Sequence, residues 1–167
     1  QLKVKGEIIF SYPEYKNGWK AAVNPKGEIT VAGKTYPYLF WEGNLSQKMT
    51  LSDFNEGFVV SKEEIVQFLE EKLTYLSLND KERTDFITFW APQMQKAEFY
   101  FINFVCAEDY AKQIAELELS VNPDTEIRIN MFFAPLTQKI TVKEQNLKSV
   151  KRQGFTVVEW GGAELSI

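Results

Sequence analysis

The chain has 167 residues, 44% hydrophobic, 25% charged and 14% aromatic, with a net charge of −4 and no histidine. That length supports one folded domain with a core, and the composition excludes disorder. The missing histidine excludes a Ser-His-Asp triad, a Cys-His pair and His-ligated zinc or iron within this chain.

Taken from the start, the chain opens without methionine and already strand-like, which reads as a trimmed or mature form. Residues 2–10 alternate loosely (Leu2, Val4, then Ile8, Ile9, Phe10) and predict one or two strands broken at Gly6. "WKAAV" and "EITV" flank "NPKG", where Pro25 presets φ and Gly27 relaxes the exit, so a hairpin is expected. A turn at Ala32–Lys34 leads into "TYPYLFW", and Pro37, lacking an N–H, marks that segment as an edge strand. "DFNEG" at 53–57 offers oxygen ligands without the dense acids of a calcium loop and reads as a turn.

Ser61 followed by Glu64, with Val60 and Ile65 placed as a hydrophobic staple, predicts a capped helix over 62–76. Its apolar stripe is Ile65, Val66, Leu69, Leu73 and Leu76. Asn79 with Glu82 repeats the cap for a second helix with the stripe Phe86, Ile87, Trp90 and Met94. Pro92 should end or kink it near Trp90. The short link Ser77-Leu78 makes the pair a helical hairpin. "EFYFINFV" is apolar on both faces and belongs in the centre of a sheet. "LELSV" and "EIRINMFF" flank "NPDT" and predict a second hairpin, with Leu117, Leu119 and Val121 facing Ile127, Ile129, Met131 and Phe133. Residues 137–153 carry no strong period, and "FTVVEW" after Gly154 closes the chain as a strand.

The elements together predict an α+β fold: mainly antiparallel β-sheet with a capped helical hairpin (about 62–94) packed on one side. One domain over 1–167 is expected, as a β region 1–60, the hairpin 61–96 and a β region 97–167.

Two stretches, "YPYLFWEG" at 36–43 and "VEWGG" at 158–162, each set a tryptophan and a glutamate against glycine. Glu42 would share a strand face with Tyr36, Tyr38 and Phe40, and Glu159 with Phe155 and Val157. Two such carboxylates can serve as acid and base at a glycosidic bond, with Trp41, Trp160 or Tyr38 as ligand-binding rings. Alternatively each glutamate sits at a wet strand end or pairs with an arginine such as Arg128. If the two stretches form one structural feature, their strands share a sheet or a core and both tryptophans are mainly buried.

Cys106 is the single cysteine and reads as a buried thiol, not a nucleophile. With so few soft ligands, no metal site and no cofactor are expected. The longest basic cluster, Lys148–Arg152, is too small for nucleic acid, and no apolar run reaches the roughly 20 residues of a membrane span.

"YKNGWKAAVNPKGEIT", "YPYLFWEG", "GFVV", "FLEEKLTYLSLNDKERTDFITFWAPQM", "EIRINMFFAPL" and "GFTVVEWGG" together resemble an uncharacterised family of bacterial secreted or cell-surface proteins. The resemblance covers nearly the whole chain and implies an extracytoplasmic setting, with a further strand segment upstream. It implies no activity, ligand or catalytic residue. The expected role is a non-catalytic binding or interaction module of the cell envelope, whose partner is cell-wall glycan or another envelope protein. The alternative is a small carboxylate-dependent hydrolase acting on cell-wall glycan or peptide.

Overall fold

The computed structural model describes residues 1–166. In chain order, strands β1 (Leu2–Val4), β2 (Gly6–Tyr12), β3 (Ala21–Val23), β4 (Ile29–Val31), β5 (Lys34–Tyr36) and β6 (Phe40–Leu45) lead to β7 (Glu56–Ser61). Helices α1 (Ile65–Tyr75) and α2 (Asp80–Trp90), strand β8 (Phe99–Cys106) and helix α3 (Ala107–Gln113) follow. Strands β9 (Ala115–Leu117), β10 (Thr125–Leu136), β11 (Lys143–Glu144) and β12 (Thr156–Glu164) come last. The fold is α+β, with mostly antiparallel pairing and one mixed sheet. It divides into two compact units, Gln1–Lys48 with Ala111–Val121, and Met49–Tyr110 with Asn122–Ile167.

The first unit holds three small sheets: β1 with β9, β2 with β6, and β3-β4-β5. The Asn-Pro hairpin forms as its turn chemistry requires. Asn24 Oδ1 accepts from the Lys26 and Glu28 N–H groups, and Gly27 takes φ +81°. Pro37 does more than mark an edge. It ends β5 at Tyr36, and the chain re-enters strand at Phe40 in a different sheet.

In the second unit, the order β11-β7-β8-β10-β12 carries α1 and α2 on one face. β8 is central, as its two-sided apolar run predicts. β10 faces Ile127, Ile129, Met131 and Phe133 into the core beneath Leu69, Leu73 and Phe86. The second predicted cap is present in full. Asn79 Oδ1 accepts from Glu82 N–H and the Glu82 carboxylate accepts from Asn79 N–H, each at 2.9 Å. Pro92 lies in a 3-10 turn that follows Trp90, so α2 ends where the proline demands. Replacing Asn79 with alanine is expected to lower stability by about 1 kcal/mol, read from urea unfolding. An unchanged midpoint would contradict the cap's role.

Four expectations need correction. α1 begins at Ile65, not at 62. Ser61 remains in β7, and its hydroxyl donates to the Glu64 carboxylate at 2.6 Å across an intervening turn. Val66 is exposed, while Phe68, outside the predicted stripe, packs against the core through the rings of Phe58 and Phe104. The Asn122–Thr125 segment makes no hairpin: β8 and β12 occupy the two edges of β10, so β9 pairs with β1 instead. Leu119 and Val121 are consequently exposed. Finally, β12 runs parallel to β10, and it extends through both terminal glycines.

Candidate functional site: an exposed aromatic face and a buried ion pair

β2 and β6 form a two-stranded ribbon whose register sets Tyr12 opposite Phe40, Phe10 opposite Glu42 and Glu7 opposite Asn44. Directly opposed residues of antiparallel strands point to the same face. One face of the ribbon therefore carries Phe10, Tyr12, Phe40 and Glu42 together, with Glu7 and Asn44 extending its polar end. Trp41, Gly43 and Leu45 alternate to the other side and are half-buried. A bulge between Ile8 and Phe10 breaks the strict alternation of β2, which is why consecutive apolar residues do not all turn inward.

The rings on this face are open to solvent: Phe10 is 55% exposed and Tyr12 61%, and Tyr38, just before β6, is 59%. They still organise one another. Phe10 and Phe40 lie 6.0 Å apart between centroids, and Tyr12 meets Tyr36 edge to face at 5.5 Å. Burial drives most aromatic packing, so a cluster of rings left in water is the informative observation. Gly43 makes the ribbon possible, since a Cβ there would lie 2.6 Å from the Glu7 carbonyl oxygen.

Glu159 sits in a different environment. Its carboxylate accepts from Arg128 Nε at 2.6 Å, directly across the parallel β10–β12 register. Arg128 is almost fully buried, with Glu126 3.6 Å away and the Tyr110 ring 4.3 Å beneath its guanidinium. Burial first, and then the negative charge of Glu159, push the Tyr110 hydroxyl well above its usual range. This is a locked ion pair beside a neutral phenol, and the Glu159 carboxylate is engaged by a buried guanidinium.

The two Trp–Glu–Gly stretches thus lie in separate sheets and separate units. Glu42 is exposed, whereas Trp41 and Trp160 each keep only a minor part of their surface open, so both tryptophans are mainly buried as expected although their strands do not share a sheet. Trp160 faces the helices and packs against Phe86 at 5.3 Å. Of the candidate ligand-binding residues, Tyr38 stands beside the exposed face, while Trp41 points to the ribbon's other side. Phe40 shares the face of Glu42 as its spacing predicts, whereas Phe10 and Tyr12 were not anticipated. Their signal is the pairing of two aromatic strand segments, legible only once β2 and β6 are placed in register.

Cys106 is half-buried, and desolvation pushes its thiol up to about 12, with Asp109 adding to the shift. Iodoacetamide at pH 8 should therefore label the folded protein at least tenfold more slowly than the urea-unfolded chain. Equal rates would overturn the desolvated environment. Among the described residues, no three Cys, Asp or Glu side chains group as metal ligands, and no helix is long and apolar enough to cross a membrane.

No protein-family model matches the chain, and no solved structure matches it. A Butyrivibrio fibrisolvens protein, described as an uncharacterized protein in the bglA 3′ region, is 40% identical over 45 residues. The match covers 26% of this chain and 47% of that protein, so the chain spans about half the length of the relative.

Proposed function

We infer that the chain is a non-catalytic binding module acting outside the cytoplasm, with the exposed β2–β6 face as its contact surface and cell-wall glycan as its ligand. The observation that carries this reading is the solvent-exposed grouping of Phe10, Tyr12 and Phe40 around Glu42. Flat rings in water stack against the C–H face of a sugar, and a carboxylate beside them accepts from its hydroxyls. The extracytoplasmic setting rests on the resemblance to secreted and cell-surface proteins. The hydrolase alternative requires two cooperating carboxylates, and Glu159 is committed to Arg128.

The test is sedimentation with purified cell-wall sacculi. The protein should co-sediment, and Tyr12→Ala with Phe40→Ala should weaken binding about tenfold or more, at roughly 1 kcal/mol per ring. Glu42→Gln should cost less than the rings. Absence of binding, or binding indifferent to the double substitution, would refute the reading. Release of new reducing ends from the sacculi would favour the hydrolase.

A further inference from the structure

The five-stranded sheet of the second unit has an edge that is closed at both ends and open in the middle. β11 pairs with β7 over two residues, Lys143 beside Glu56 and Glu144 beside Gly57. Gln145 N–H then donates to the Gly57 carbonyl at 3.3 Å, and its side-chain amide turns away to bond both backbone groups of Phe104. Past that point the chain leaves the sheet for the helical hairpin. There the Leu147 and Val150 carbonyls accept from the Tyr75 and Ser77 hydroxyls.

The ladder with β8 decides which groups of β7 remain. Lys62 N–H donates to Glu98 C=O at 3.1 Å, and the register continues through Val60 opposite Tyr100 and Phe58 opposite Ile102. Antiparallel pairs alternate between bonded and non-bonded. Residues 58 and 60 therefore bond toward β8, while Gly57, Val59 and Ser61 point their backbone groups outward. Gly57 is taken by β11. The Ser61 carbonyl accepts from Glu64 N–H at 3.0 Å, and the Glu64 carboxylate, held below its ordinary range, takes the Ser61 hydroxyl and N–H. Val59 is left with a donor and an acceptor aimed out of the sheet and, among the described residues, no strand beside them.

Those two groups open into a groove of about 540 Å³. Phe58, Val60 and Phe68 form its apolar wall, Ile140 and Val142 of the returning chain face them, and Gln67 stands on the helix side. Its charges are nearly matched. Lys72 bonds Glu71 at 2.9 Å and lies over the Phe58 and Phe68 rings, and Lys139 acts on Glu64. Glu144, at the β11 end, is the carboxylate in excess.

We propose that this groove binds an extended peptide of a partner protein, which adds a short strand to β7 at Val59, places apolar side chains against Phe68 and Val142, and turns a lysine or arginine toward Glu144. A donor and an acceptor from a single strand residue match the spacing of another peptide backbone, and the apolar walls take alternate side chains. The excess carboxylate sets the charge of the occupant. Edge closure at Gly57 and Ser61 limits the added strand to a short one, so specificity comes from the side-chain recesses.

The probe is a fluorescein-labelled heptapeptide of alternating valine and threonine with one terminal lysine, titrated by fluorescence anisotropy. Saturable binding is expected, with hydrogen exchange at the Val59 amide slowed at least tenfold in the complex. A twin N-methylated at alternate residues should bind at least tenfold more weakly. Glu144→Lys should weaken the lysine peptide and favour an aspartate-ended one. Val59→Pro removes the outward donor without touching a β7–β8 hydrogen bond, so binding should fall while the melting temperature holds. Failure to bind, equal affinity for the methylated twin, or unslowed exchange at Val59 would overturn the proposal. Protection at Val59 that grows with protein concentration alone would assign the edge to a second copy of the chain, and would overturn it equally.

Discussion

Glu159→Gln is expected to lower the unfolding free energy by about 3 kcal/mol, and Arg128→Leu by a similar amount, in urea denaturation at neutral pH. Arg128 has a side chain only 3% exposed and Glu159 one that is 15% exposed, and the more distant, more exposed Glu126 is the weaker second partner, so Glu159 carries most of the compensation for the guanidinium. Breaking a buried pair on one side leaves an uncompensated charge, which costs roughly 3–5 kcal/mol. Glutamine retains an acceptor for Arg128 Nε, which puts this substitution at the lower end. The geometry adds a second reason. Arg128 Nη2 is buried and has no hydrogen-bond partner among the described residues, so the guanidinium has little slack with which to find a substitute. Replacing both residues together with leucine should recover much of the loss, because apolar side chains of similar volume remove both desolvation costs. If either single substitution costs less than about 1 kcal/mol, the pair is incidental to folding and Glu159 is not locked by Arg128.

The parts of this fold legible in the sequence are those decided by local chemistry. The Asn79–Glu82 cap, the stop at Pro92 and the Asn24–Gly27 turn each depend on residues within a few positions of one another. The two-sided apolar run of β8 announces its central place in the same way. What failed to read out depends on competition between distant segments. β10 has the pattern of a hairpin partner for 117–121, yet β8 and β12 win its edges because each pairs along eight or more residues of its length. The start of α1 moved by three residues because Ser61 serves β7 before it can serve a helix. The site followed the same division. Glu42 and Glu159 look alike in sequence, each next to a tryptophan and within two residues of a glycine, but one lies on an exposed ribbon and the other against Arg128. Arg128 was a nameable partner for Glu159 because their strands are both strongly patterned. The rings of β2 were not, because the bulge at Ile9 disrupts the alternation that would have shown their face.

The paired glycines of "EWGG" separate close approach from mere flexibility, and substituting them one at a time should give opposite outcomes. Gly161 and Gly162 are neighbours on β12, so their missing side chains would point to opposite faces of the sheet. A Cβ at Gly162 would lie 2.7 Å from the Met131 carbonyl oxygen and 3.0 Å from the Trp90 ring. The carbonyl belongs to the adjoining strand, and the Trp90 ring is wedged against Phe86, Phe89 and Phe133, so neither neighbour can retreat cheaply. Gly162→Ala is therefore expected to cost about 3 kcal/mol, the upper range for overpacking a closed core. A Cβ at Gly161 meets only Asn130 Oδ1, at 3.4 Å, an ordinary contact. Gly161→Ala should stay within about 1 kcal/mol of the parent, and the lost freedom of the unfolded chain would tend to raise stability. Both changes are read from the same urea curves, with near-ultraviolet circular dichroism reporting the Trp90 environment. Equal costs at the two positions would mean that the glycines serve the backbone path of β12. A cost confined to Gly162 would show that the motif exists to seat Trp90 against the strand, with the neighbouring Glu159 left free to answer Arg128 on the other face.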